Sequence, residues 1–207
     1  MYGGGMKIYK DILQLSPEWV AIRLGKVTGS HFSDVMNKKS GRKTYMFRLL
    51  GERFSGESYE AYSNKTMNRG SEVEEQARIE YARRFGKVKQ VGFVAKNDNV
   101  GCSPDGLVGD SGIIEIKCPF PSTHCRYICE NRLPTTYKPQ VQGNLWVTGR
   151  QWCDFISFDP RVADRLLWKI RIERDEPYIK ELAIQTTMFV AELLELEERI
   201  VNKNLDF

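Results

Sequence analysis

The sequence predicts an α/β (α+β) fold, a central mixed β-sheet flanked by helices. Three features predict it. Runs with apolar residues at helical spacing lie toward both ends, short β-prone segments fill the middle, and a second strand-like pair precedes the last helix.

Met1 to Gly5 (MYGGG) reads as a flexible extension outside the fold. Residues 43–54 predict a helix with Met46, Leu49, Leu50 and Arg53 along one side, and residues 71–85 a second with Val73, Ala77 and Tyr81 at four-residue spacing. From Val88 to Cys118 the runs VKQVGFVA, GCSPDGLVG and GIIEIKC read as strands, with turns at Asp98-Asn99, Gly106, Gly109 and Asp110-Ser111-Gly112. Pro139 suits the first turn of a helix that carries Gln140, Val141, Asn144 and Leu145 up to Gly149. CDFISF and LLWKIRIE return to strand texture. Residues 187–202 then form an amphipathic helix whose stripe of Phe189, Leu193, Leu196 and Ile200 packs on the sheet. Segments 36–43 and 121–136 read as loops.

A 207-residue chain with 41% hydrophobic and 28% charged side chains can bury a core as one domain, residues 1–207. It has no run of about 18 uncharged apolar residues, so no helical membrane span is expected. It also shows no basic-then-apolar leader. The odd cysteine count (102, 118, 125, 129 and 153) argues against a disulfide framework and for a reducing cytoplasm. Cys125 and Cys129 beside His124 have poor zinc spacing without a second pair, and read as ordinary thiols. The net charge of +4 matters only where it clusters. Lys38, Lys39, Arg42 and Lys43 form one cluster, and Arg83, Arg84, Lys87 and Lys89 another. Each reads equally as a solvated face or a DNA contact.

The chemistry concentrates in Ser103-Pro104-Asp105-Gly106 and, with nine residues between Asp105 and Glu115, in Glu115-Ile116-Lys117. On two adjacent strands Asp105 stands at the turn end of the first, while Glu115 and Lys117 project from one face of the second. Two carboxylates and an ammonium then converge at one sheet edge. Carboxylate oxygens suit magnesium, which keeps positions open for water and phosphate, and such a site hydrolyses phosphodiesters. Lys117 would position or deprotonate the attacking water, or stabilise the developing charge. Asp-Gly is also a common hairpin dipeptide, and Glu-x-Lys a common solvated face. The run IIEIKCPF tilts the balance toward a site, because charges interrupting a buried strand need a partner, an ion or a role, while spacing alone leaves both readings open.

SPDG followed by E-x-K resembles the PD-(D/E)XK nuclease superfamily, and GCSPDGL…GIIEIKCPF resembles its lambda-type phage exonucleases. RLGKVTGS at 23–30, RGSEVEEQAR at 69–78, QVQGNLWVTG at 140–149 and FDPR…IERDE at 158–176 resemble further family blocks in the same order. The resemblance implies a restriction-endonuclease-like core in which Asp105, Glu115, Glu74 and the Ile116 main-chain carbonyl bind magnesium (two ions, with Mn2+ able to substitute). It makes Lys117 the catalytic lysine and puts Gln140 near the attacking water or the scissile phosphate. Arg23, Ser30 and Ser103 would cradle a 5′-terminal phosphate, an apt use of a guanidinium and two hydroxyls.

It further implies 5′→3′ digestion of one strand of linear double-stranded DNA, leaving 3′ overhangs for phage recombination. A homotrimer ring, a single-strand annealing partner and a phage- or prophage-encoded protein in the bacterial cytoplasm complete that picture. Ser71-x-x-Glu74 also fits a capping box, so Glu74 has a second reading as a helix cap. His31 and His124 read as surface or packing residues. The alternatives are another PD-(D/E)XK endonuclease, or a non-catalytic DNA-end-binding protein on the same scaffold. The joint presence of Asp105, Glu115 and Lys117 favours an enzyme.

Overall fold

In the computed structural model of the protein, residues 6–37, 40–59 and 64–203 are described, those from 64 to 71 by their backbone alone. Residues 1–5, read as an extension, and the cluster members Lys38 and Lys39 lie outside the described residues. In chain order come β1 (Lys7–Tyr9), α1 (Pro17–Arg23), α2 (Phe32–Met36), α3 (Ser40–Ser55) and α4 (Asn64–Phe85). Then follow β2 (Val88–Lys89), β3 (Phe93–Ala95), β4 (Gly101–Cys102), β5 (Gly106–Val108) and β6 (Gly112–Lys117). The chain continues with α5 (Pro121–Glu130), α6 (Lys138–Thr148), β7 (Trp152–Phe158), β8 (Leu167–Glu173) and α7 (Glu176–Val201).

The central sheet is mixed, as expected, with strand order β2-β5-β6-β7-β8. Only β6 and β7 run parallel, and the crossover between them is made by α5 and α6. On one face Ala77 and Tyr81 of α4 pack against Ile114, Ile116 and Ile156. On the other, Ile113 and Phe155 join Val141 and Leu145 of α6 and Leu182, Phe189 and Leu193 of α7. A second, antiparallel sheet has the order β1-β3-β4.

Several expectations need correction. VKQVGFVA and GCSPDGLVG each divide between the two sheets, as β2 with β3 and β4 with β5. The second break falls at Ser103-Pro104-Asp105, where proline has no N–H to give a ladder, and Gly106, expected in a turn, instead opens β5. The helix expected at 43–54 spans Ser40–Ser55, and the one expected at 71–85 begins at Asn64. Ser71 therefore lies inside α4, and the capping-box reading of Glu74 fails. A polar first half carries no apolar stripe to announce it, and Gly70 costs a helix interior only about 1 kcal/mol.

Residues 121–136 are not all loop. Pro121 occupies the first turn of α5, which buries His124 and Tyr127. The last helix begins eleven residues before Thr187, at Glu176, where the Asp175 carboxylate accepts the Tyr178 N–H at 3.0 Å. Of its expected stripe, Phe189 and Leu193 are buried and Leu196 is partly buried, but Ile200 is exposed. α6 ends as expected on Gly149, whose φ of +69° is the left-handed turn glycine adopts without strain. No described helix is long and apolar enough to cross a membrane.

Candidate active site

The antiparallel register of β5 on β6 pairs Gly106 with Ile114, so one step further along it Asp105 stands opposite Glu115. The nine-residue spacing is what a tight hairpin needs to bring those carboxylates together. Asp105 Oδ2 accepts the Ile116 backbone N–H at 2.6 Å. Glu115 and Lys117 share one strand face, and Lys117 Nζ donates to Glu115 Oε1 at 2.7 Å. Glu115 is only 2% exposed.

Two helices complete the cluster. From α6, Gln140 Nε2 donates to Glu115 Oε1 at 2.6 Å and Asn144 Nδ2 to Oε2 at 3.1 Å. From α4, Glu74 pairs with Arg78 at 2.7 Å, and Arg78 Nε donates to the Asp105 carbonyl at 2.9 Å. Arg78 also binds Glu75. The sequence singled out neither Arg78 nor the Asn144 contact, although both sit one helical turn from a residue it did single out, Glu74 and Gln140. Tyr137 is a third addition, its ring 5.1 Å from Lys117 Nζ.

The electrostatics follow from crowding acids in a buried place. Burial pushes the Asp105 carboxyl well above its ordinary value. The charges of Glu115 and Glu74 add to that, against the pull of Lys117 and the Ile116 N–H. Burial also raises Glu74, opposed by Arg78 and reinforced by Glu115. For Lys117, burial alone favours the neutral amine, but Glu115 and Asp105 outweigh it and hold the ammonium form. Among the described residues no three His, Cys, Asp or Glu side chains form a ready-made cage for a cation. The donor set still fits magnesium, which uses one or two carboxylates and fills its remaining positions with water and phosphate. A divalent cation also relieves the repulsion that raises Asp105.

Two residues before Asp105, Ser103 Oγ accepts from Trp19 Nε1 at 2.9 Å and from Arg23 Nη1 at 3.4 Å. The Arg23 guanidinium lies 3.7 Å from the Trp19 ring. Ser30 is exposed in the short turn Gly29–His31, and a Cβ at Gly29 would stand 3.3 Å from Cys102 Cβ. Arg23 and Ser103 thus meet directly, and Ser30 adjoins the end of β4. His124 is a packing residue, its ring nitrogens 2.7 Å from Ser157 Oγ and the Arg165 carbonyl. Cys125 and Cys129 are exposed free thiols. Both basic clusters spend charge internally: Arg42 forks onto Glu192 at 2.7 Å, while Arg83 and Arg84 bind Glu80.

Comparison with known proteins places the chain in a family. The family model of the YqaJ-like viral recombinase domain matches residues 18–151. An alkaline exonuclease, LHK-Exo from Laribacter hongkongensis, is 42% identical with a TM-score of 0.85, over 91% of this chain and 97% of its own. The same enzyme in complex with dAMP superposes with a TM-score of 0.83 at 42% identity and the same coverage. A phage-related exonuclease from Haemophilus somnus 129PT shares the fold at 17% identity, with a TM-score of 0.64 over 86% of this chain and 96% of its own. No curated protein matches the chain. The residues quoted from the sequence, the five-stranded mixed sheet and these likenesses agree: the chain belongs to the YqaJ-like viral recombinase family and is an exonuclease of the lambda-like phage-recombination type.

Proposed function

We propose that this exonuclease is a single-domain, magnesium-dependent enzyme that digests one strand of linear double-stranded DNA from its 5′ end. The products would be mononucleotides and a 3′ single-stranded overhang. The observation that carries the reading is the pairing of two sites on one short segment. Ser103, held by Arg23, is two residues from Asp105, so their Cα atoms lie within about 7 Å. A terminal phosphate held by Arg23, Ser103 and Ser30 then brings the next phosphodiester of the same strand to Asp105, Glu115 and Lys117.

Asp105, Glu115, the Ile116 carbonyl and Glu74 would hold the magnesium ions, with manganese as a substitute. When bound, the ions supply an activated water and neutralise charge on the phosphate. Gln140 and Lys117 both donate to Glu115 Oε1 and hold that oxygen in place. Held as an ammonium, Lys117 donates to the scissile phosphate as negative charge grows there. Gln140 orients the water for attack in line with the leaving oxygen. Arg78 restrains Glu74 against the Asp105 backbone, so helix and sheet keep their spacing as substrate enters.

The resemblance supports three wider features: a homotrimeric ring around DNA, a single-strand annealing protein that takes up the overhang, and action in the cytoplasm of a phage- or prophage-bearing bacterium. The test of the 5′ reading compares linear duplex bearing a 5′ phosphate with the same DNA bearing a 5′ hydroxyl. A hydroxyl end offers less charge and fewer acceptor oxygens. The phosphorylated end should be degraded faster, and Arg23→Ala should slow that substrate most and erase the difference. Equal rates for the two ends with the unmutated enzyme refute the phosphate pocket.

A further inference from the structure

We propose that Asn144 is a positioning residue for the reaction, one that aims the Glu115 carboxylate, and that glycine at position 29 is what allows it to do so. The inference rests on the reading of Glu115 as a cation ligand. A carboxylate offers about four lone-pair sites. Among the described residues, Lys117 and Gln140 fill both sites on Oε1, and Asn144 fills one on Oε2. The site left open is on Oε2, and its direction is set by the Asn144 bond. Gln140 and Asn144 stand one turn apart on α6, so a single helix face grips both carboxylate oxygens.

Asn144 is 1% exposed, and among the described residues its Oδ1 meets no hydrogen-bond donor. Turning the amide over would face oxygen to oxygen against Glu115, so the bond to Oε2 fixes which end is the donor. A buried acceptor without a donor costs stability. A residue selected for packing alone would be apolar or satisfied at both ends, so the cost points to the work done by Nδ2. Oδ1 lies against Gly29, where a Cβ would come within 2.3 Å of it. Any larger residue at 29 therefore pushes the amide off Glu115. Gly29 precedes Ser30, so the same contact links the proposed phosphate pocket to the carboxylate.

The test is calorimetric titration of magnesium and manganese into the protein without DNA, beside the magnesium concentration that half-saturates nuclease activity. The variants are Asn144→Leu, which keeps the branched shape and loses the donor, Gly29→Ala, which keeps the donor and displaces it, and their combination, with Glu115→Ala as the reference. Groups that orient a metal ligand are worth about 10- to 100-fold in metal affinity. Both single variants should weaken cation binding by at least tenfold, and the double variant should be no weaker than Asn144→Leu. Should one single variant fail to fold, the other carries the comparison. Loss of binding in Glu115→Ala with unchanged binding in a folded Asn144→Leu or Gly29→Ala overturns the role of Asn144 alone. Unchanged binding in Glu115→Ala overturns the reading beneath it.

Discussion

Alanine at Asp105, Glu115 or Lys117 removes a different part of the proposed site, so the three variants should fail alike in activity and differently in binding. Each should lose turnover by a factor on the order of 1000, several kcal/mol of transition-state stabilisation. Only the carboxylate variants should lose magnesium binding, and DNA binding should persist in part through scattered Lys and Arg. Near wild-type turnover in any one contradicts the assignment. For Glu74, a cap role is gone because α4 begins at Asn64. Glu74→Gln should therefore abolish activity while the melting temperature barely moves, and an active variant would remove Glu74 from the site.

Asp105 also makes a pH prediction. Below its ordinary value of 3.8 the carboxyl is protonated both folded and unfolded, and contributes nothing to stability. As pH rises above that, the unfolded chain ionises first and the native state loses stability until its raised value is passed. A cation that binds the ionised form reverses the loss. Magnesium should thus raise the melting temperature more at pH 8 than at pH 5.5, and an equal effect at both would speak against the site. Asp105, Glu115 and Lys117 were legible because a tight hairpin and a two-residue repeat fix their positions locally. Arg78 and Asn144 were not, since their partners lie 27 and 29 residues away in sequence, across connections that no local pattern specifies.

α4 reaches the sheet through a buried polar anchor as well as an apolar face. Tyr81 donates to Asp154 Oδ2 at 2.7 Å, and Arg171 and Lys169 of β8 hold the same carboxylate at 2.8 and 3.2 Å. Burial alone would raise Asp154, but the bonds from Arg171 and Tyr81 and the charge of Lys169 hold it below its ordinary value. A depressed native value adds stability above the unfolded value of 3.8 and loses it as pH falls through the native one. Tyr81→Phe should cost about 1–3 kcal/mol in urea denaturation at pH 7. The difference from wild type should shrink below about pH 4, and a difference independent of pH would deny the anchor this role. At this scale the sequence revealed whichever elements carry a clean period. β6, β7, β8 and α6 stood out as apolar runs with turn residues at their ends. α5 and the first halves of α4 and α7 did not, because polar residues interrupt their stripes. In α7 the interruption is Thr186, buried with its hydroxyl satisfied by the Leu182 carbonyl at 2.7 Å.

The molecule as a whole is proposed to work as a ring of three, which would keep it on DNA between cuts. Light scattering during gel filtration should then give a mass near three times 23.9 kDa. A monomer at every concentration would count against the ring. Mixed α/β architecture with helices on both sheet faces was readable from the order of periodic segments, whereas assembly depends on surfaces that no period marks. The proposed enzyme hydrolyses DNA from an end, with magnesium held by Asp105 and Glu115. The most direct measurement incubates linear and closed circular duplex together with the protein, with magnesium and with a chelator, and follows both forms on a gel. The linear form alone should be lost, and only with magnesium. Nicked or linearised circles, or linear DNA left intact with magnesium present, would contradict this reading.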